Sequence, residues 1–179
     1  MGAGLVKVLS DAGNRQILQT RLPEILFGER KDLKESLNWC DCILFGPGIG
    51  VSEETKEMLE MILEEGTKPL VIDADGLNTI SKYDMEINYP YGLILTPHLM
   101  EASRLMSCDI KQMKEDLCQN AYELAKKYHC IAVLKDAATI VAQEGDLVYI
   151  NQSGNDGMAT GGSGDVLAGM ITGLLGGGL

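Results

Sequence analysis

Residues 154–173 read GNDGMATGGSGDVLAGMITG, a string of glycines that runs into an apolar helix with one acid, Asp165, at the junction. Glycine loses the most conformational freedom on folding, so a chain uses it where backbone must approach something closely or take positive φ. The loop Gly161–Gly162–Ser163–Gly164 opens the helix. Free N–H groups at a helix start, with no Cβ in front of them, form a cradle for an anion such as a nucleotide phosphate. A tight loop-to-helix turn is the plainer account of the same residues. The segment is neither a GK[ST] loop nor GxGxxG. Asp165 falls in the first helical turn. It either favours the helix dipole, worth roughly 0.3–1 kcal/mol, or acts as a general base that takes a hydroxyl proton as the oxygen attacks phosphorus. Spacing alone weighs the two equally. Beyond it, Val166, Leu167, Met170, Ile171, Leu174 and Leu175 form one apolar stripe.

Working outward from that helix, short apolar runs alternate with helical patterns. LVKVLS (5–10), CILF (42–45), PLVID (69–73), YGLILT (91–96), IAVLK (131–135) and TIVA (139–142) read as strands. Continuous apolar runs of this length suit strands buried on both faces, as in parallel sheets. Residues 52–65 read as a helix with Ser52 as N-cap and Glu53 and Glu54 at the positive end of the dipole. Residues 112–128 read as one helix, with Met113, Leu117, Leu124 and Tyr128 on one face and Asp109 with Gln112 as its start signal. TIVAQEGDLVYI (139–150) predicts a hairpin turning at Glu144–Asp146. Strands alternating with helices define an α/β layered domain with a largely parallel sheet. No repeat, linker or internal boundary divides residues 1–179, so one domain is expected.

In an open α/β sheet, ligands bind outside the carboxyl ends of the strands. The residues there are GPGIG (46–50), DADGLN (73–78), TPHLMEASRL (96–105) and KDAAT (135–139). With the glycine loop they make five strand ends converging on one edge, a pattern hard to obtain from packing alone. Gly48 and Gly50 suit a crossing where a ligand lies against backbone, or a structural turn. Asp73 and Asp75 stand two apart and share a face in extended geometry. They either help hold Mg²⁺ through water or cap a turn. His98 is a substrate contact or a helix-start residue. Lys135, ending a buried strand, must snorkel or meet an anion.

A net charge of −11 and a pI near 4.6 argue against a nucleic-acid or anionic-membrane surface. No stretch approaches the roughly 20 apolar residues of a membrane span. The opening MGAGLVKVLSDAG lacks a basic segment before a long apolar one, so no secretory leader is expected and the cytoplasm is the expected location. Five cysteines, at 40, 42, 108, 118 and 130, lack the spacing of a zinc knuckle and are expected as reduced thiols.

The motifs GPGIG, VIDADGLN, LTPHLMEASRL, VLKDAAT and NDGMATGGSGDVLAG, in this order, resemble the ADP/ATP-dependent NAD(P)H-hydrate dehydratases, from about Gly2 to Gly173. That resemblance implies a ribokinase-like three-layer fold and the repair of reduced nicotinamide cofactors hydrated at the ring C5=C6 bond. ADP or ATP with Mg²⁺ would phosphorylate the new hydroxyl, and loss of phosphate would restore NADH or NADPH. Carried over position by position, Asp165 is the base, with Gly161, Gly162, Ser163 and Gly164 around the anion. Lys135, Asp136, Ala137, Ala138 and Thr139 match the adenine-nucleotide stretch, and Gly48, Gly50, Asp73 and His98 match the side of the hydrate. No residue is expected as a resident metal ligand.

Departures from the family pattern are Asp136 after Lys135 in place of glycine, Leu99–Met100 after His98 in place of Pro-Gly, and Asp156 in place of proline. The family also has a further strand and helix start upstream, and helices beyond the one at Gly164, which this chain is expected to lack. An open sheet edge, exposed apolar helix faces and a homo-oligomer are the expected consequences. The epimerase domain fused to some family members has no counterpart, so no epimerase activity is expected. Two alternatives stand beside the dehydratase. One is another ribokinase-like small-molecule kinase that keeps its phosphorylated product. The other is a curtailed fold that binds nucleotide without turnover.

Overall fold

The computed structural model describes residues 2–146 and 148–179. The chain begins with two short strands, β1 (Lys7–Leu9) and β2 (Leu26–Gly28), which pair in parallel across α1 (Arg15–Arg21). The strand expected within 5–10 is present as Lys7–Leu9, in a two-stranded sheet apart from the main one. Backbone bonds extend the pairing past both ends, with the Leu26 N–H on Val6 O at 2.9 Å and the Ser10 N–H on Gly28 O at 3.1 Å, but Leu5 and Val6 are exposed and Lys7–Leu9 only half-buried.

After α2 (Leu33–Trp39), the main sheet takes the spatial order β3 (Ile43–Phe45), β4 (Leu70–Ile72), β5 (Leu93–Leu95), β6 (Ile131–Leu134), β7 (Thr139–Gln143) and β8 (Tyr149–Asn151). The first four strands run parallel, in the register Ile43↔Leu70↔Leu93 and Ile94↔Ile131, while β7 and β8 are antiparallel. The hairpin turns at Glu144–Asp146 as read, with Leu147 outside the described residues.

Side chains alternate across this sheet. Phe45, Leu70, Ile72, Leu93, Leu95, Leu134 and Ile140 join the larger core. That core packs against α3 (Glu53–Glu65), α4 (Asp75–Lys82), α5 (Leu99–Leu105), α6 (Ile110–Glu115) and α7 (Leu117–Tyr128). Val71, Ile94 and Val133 point the other way, toward Ile171 and Leu175 of α8 (Ser163–Gly176). Helices therefore cover both faces, as the three-layer expectation requires.

Caps place the helices. Ser52 accepts the Thr55 N–H at 3.1 Å and starts α3. Asp109 and Gln112 form the reciprocal capping box of α6. The single helix read over 112–128 is in fact two. Asp116 is extended (φ −147°) and its carboxylate accepts the Gln119 N–H at 2.9 Å, which starts α7 afresh. The stripe on α8 also needs correction. Ala168 is buried and Leu167, Ile171 and Leu175 are half-buried, whereas Val166, Met170 and Leu174 face outward. A single layer of sheet beneath one helix can cover only one side of it.

Candidate active site at the carboxyl edge of the sheet

The strand ends named above reach one edge. The Asp73 N–H donates to Phe45 O at 3.0 Å, the Thr96 N–H to Ile72 O at 3.2 Å, and the Lys135 N–H to Pro97 O at 2.8 Å. An isolated parallel bridge between His98 and Lys135 extends the ladder one step past β5 and β6.

Lys135 resolves its own dilemma by meeting an anion. Its Nζ donates to Asp73 Oδ1 at 2.7 Å, with the Asp73 side chain 2% and the Lys135 side chain 19% exposed. A Cβ built on Gly164 would lie 3.5 Å from that same Nζ, so the ammonium rests against the start of α8. There Gly162 takes left-handed backbone (φ +87°) as N-cap. The Ser163 N–H and Oγ both turn back to Thr160 O, at 3.3 and 2.9 Å, and the Val166 N–H closes the first helical bond to Gly162 O. Gly164 and Asp165 therefore hold the N–H groups that a helix start leaves unpaired. Beside them stands the exposed Asp165 carboxylate. A cation, two N–H groups without a partner among the described residues and a carboxylate at one helix start can bind an anion and accept a proton next to it.

The turn Asp73–Ala74–Asp75 corrects the shared-face expectation. Ala74 sits at φ +47°, ψ −117°, far from extended, and α4 begins at the next residue. The two carboxylates consequently diverge. Asp73 reaches Lys135, while Asp75 Oδ2 accepts the Gly50 N–H at 2.9 Å and fastens the GPGIG loop. Within that loop Gly48 (φ +67°) and Gly50 (φ +81°) are exposed, and a Cβ on either would meet nothing within 4 Å. Gly46 is different. At φ +123° its missing Cβ would lie 1.8 Å from Asp73 O, so this glycine lets β3 pack on the turn after β4.

His98 is the N-cap of α5. Its Nδ1 accepts the Met100 and Glu101 N–H groups at 3.1 and 3.3 Å, and Glu101 Oε2 accepts the His98 N–H at 2.8 Å. Because Nδ1 accepts, the hydrogen-bond pattern assigns the proton of a neutral ring to Nε2, which faces Glu101 Oε1 at 3.3 Å. The side chain remains half exposed, so the capping role leaves a face toward the edge. Sequence reading missed Glu101, although Glu three residues after an N-cap is a recognised box. Lys135–Ala138 form the turn between β6 and β7, with Asp136 and Ala137 exposed and Thr139 starting β7.

Among the described residues, no three His, Cys, Asp or Glu side chains gather as a metal cage. Asp73 and Asp75, the acids considered for Mg²⁺, are engaged by Lys135 and Gly50. A cleft of about 360 Å³ lies at the opposite end of the strands, where Pro69, Gly92 and His129 precede β4, β5 and β6, so it is not this site. No helix of the described residues is long and apolar enough to cross a membrane.

The architecture is that of a ribokinase-like protein. It superposes on a ribokinase-like superfamily protein of Enterococcus faecalis V583 with a TM-score of 0.88 at 33% identity, covering 98% of this chain and 62% of that one. The ADP/ATP-dependent NAD(P)H-hydrate dehydratase of Bacillus subtilis, co-crystallised with ATP/Mg²⁺ and soaked with CoA, gives 0.79 at 26% identity over 98% and 65% of the two chains. A family model described as NAD(P)H-hydrate dehydratase matches residues 1–178, and the chain belongs to that family. The Escherichia coli K12 bifunctional NAD(P)H-hydrate repair enzyme Nnr is 41% identical over 177 residues, 98% of this chain and 34% of its own length. The E. faecalis ADP-dependent (S)-NAD(P)H-hydrate dehydratase is 37% identical over 179 residues, 97% of this chain and 60% of its own. The chain thus spans a third to three fifths of these relatives.

Proposed function

We propose that this chain carries the nucleotide-dependent dehydration of (S)-NAD(P)H hydrate, with ADP or ATP as phosphoryl donor. One observation carries the reading: the Lys135 ammonium lies against Gly164, one residue before Asp165, at a glycine-built helix start. The names of the relatives supply the substrate class. In this reading the hydrate hydroxyl oxygen attacks the terminal phosphorus as the bond to the leaving nucleotide oxygen breaks, and Asp165 takes the hydroxyl proton. The N–H groups of Gly164 and Asp165 stabilise charge developing on the transferred group. Cleavage of the C–O bond then releases phosphate, and loss of the neighbouring ring proton restores the double bond. Mg²⁺ belongs to the nucleotide here, since such ions are held through substrate phosphates with few protein ligands.

Gly48, Gly50 and His98 border the hydrate, and Lys135–Thr139 the nucleotide, where Asp136 adds negative charge. A cytoplasmic location, and self-association through the outward face of α8, belong to the same reading. The test mixes chemically hydrated NADH, Mg²⁺ and the chain with ADP or ATP, and follows the return of reduced-nicotinamide absorbance. Recovery should need the nucleotide and vanish in Asp165→Asn without a change in melting temperature. Full recovery by that variant, or a stable phosphoester product, refutes the assignment.

A further inference from the structure

The turn between β4 and α4 does more than connect them. Its two acids hold one group on each side of the proposed reaction, Lys135 by Asp73 and Gly50 by Asp75, at 2.7 and 2.9 Å. Ala74 between them has φ +47° and ψ −117°, a conformation that L-residues seldom occupy and that costs about 1–3 kcal/mol. In extended backbone the two carboxylates would lie on one face; the strained turn is what sends them apart. The turn is itself anchored, with the Asp73 N–H on Phe45 O, the Gly76 N–H on Asp73 O, and Gly46 packed onto the Asp73 carbonyl.

We propose that Asp73–Ala74–Asp75 is a two-armed positioning element, in which Asp73 sets Lys135 for the nucleotide phosphate and Asp75 sets the GPGIG loop for the hydrate. Neither acid touches the reacting atoms. Asp73, expected on the hydrate side, is instead 1% exposed and turned to Lys135, through which it acts, while Asp75 acts through a backbone N–H. The assignment of the two sides rests on the proposed function; the bracket itself rests on the hydrogen bonds.

The two arms are separable in binding. Calorimetry with ADP–Mg²⁺ and with hydrated NADH is run on the wild-type chain, Asp73→Asn, Asp75→Ala and Asp75→Asn, alongside the recovery assay. Asp73→Asn should weaken ADP about tenfold or more and leave the hydrate within about twofold. Asp75→Ala should do the reverse, and Asp75→Asn, which keeps an acceptor for the Gly50 N–H, should restore hydrate binding. If Asp73→Asn fails to fold, Lys135→Gln reports on the same arm and should show the same ADP-selective loss. Equal losses of both ligands in each variant, or tighter ADP in Asp73→Asn, overturn the bracket while leaving the dehydratase reading intact. Selective binding losses in a chain with no recovery activity overturn the dehydration and keep the bracket. A wild-type chain that binds neither ligand overturns both.

Discussion

Gly46→Ala tests the packing of the site most directly. The added Cβ would fall 1.8 Å from Asp73 O, 2.7 Å from Gly76 N and 3.0 Å from Asp73 C, all of them backbone atoms. No rotamer change relieves such contacts, so β3 or the β4–α4 turn must move by more than an ångström. That motion breaks the Asp73 N–H···Phe45 O and Gly76 N–H···Asp73 O bonds, each 3.0 Å long. A buried group left unpaired costs about 1–3 kcal/mol, and placing alanine at φ +123° adds to this. The sum is about 4 kcal/mol, a large share of a typical folding free energy of about 5–15 kcal/mol. At this chain length it corresponds to a fall in melting temperature of about 8–16 °C. Gly48→Ala is the internal control. It shares the motif and a positive φ (+67°) but meets open space, so only the left-handed backbone is charged against it, about 1–2 kcal/mol. Thermal and urea unfolding of the two variants, followed by circular dichroism, measure the difference. Equal stability of Gly46→Ala and Gly48→Ala would refute the claim that Gly46 is fixed by contact with the turn.

Ala74→Gly should stabilise the chain by about 1 kcal/mol, because relief of about 1–3 kcal/mol of strain exceeds the added entropy of an unfolded glycine; an unchanged or lower urea midpoint contradicts it. Ser52→Ala removes the acceptor for the Thr55 N–H at 3.1 Å and should cost about 1 kcal/mol by the same measurement. Alkali should destabilise the fold. Burial pushes the Cys130 thiol up from 9.0 to about 12 and the Tyr128 phenol up from 10.0 to about 12. A raised acid binds more protons folded than unfolded. Its contribution is therefore whole below the unfolded value and is lost as pH climbs through the folded one, for Cys130 about 3 kcal/mol between about pH 9 and pH 12. Cys130→Ala should flatten that slope, and a slope unaltered by the substitution assigns it elsewhere.

The central strands were legible because Leu70, Val71 and Ile72 are buried on both faces and read as one uninterrupted apolar run. Their ends were legible for the same reason, since polar residues immediately after such runs must lie at the carboxyl edge. Other features had no readable signal. Nothing about alanine announces the positive φ of Ala74, so the diverging acids looked like a pair on one face. The break at Asp116 was hidden because Met113, Leu117, Leu124 and Tyr128 keep a helical period through it, although Asp116 with Gln119 had the spacing of a cap. Apolar composition could not say which half of α8 is covered, because that depends on how much sheet lies beneath it. Lys135 was read as needing an anion, but its partner lies 62 residues away in sequence, and only the adjacency of strand ends brings them together.

Under the proposed function, that pairing also accounts for how a chain of net charge −11 would hold a cation ready for a polyphosphate. A buried ammonium without a partner would lose its proton or destabilise the fold. With Asp73 behind it at 2.7 Å, the Lys135 ammonium is held in one place, while its remaining N–H bonds can turn toward the start of α8. Global charge matters little at this range, since charges more than about 8 Å apart are largely screened at physiological ionic strength. In the proposed function, recognition of the anion falls to oriented donors, namely one clamped ammonium and the N–H groups of Gly164 and Asp165. Such donors act only at contact distance, so the exactness of the two turns that set them, at Gly162 and Ala74, decides the strength of the site.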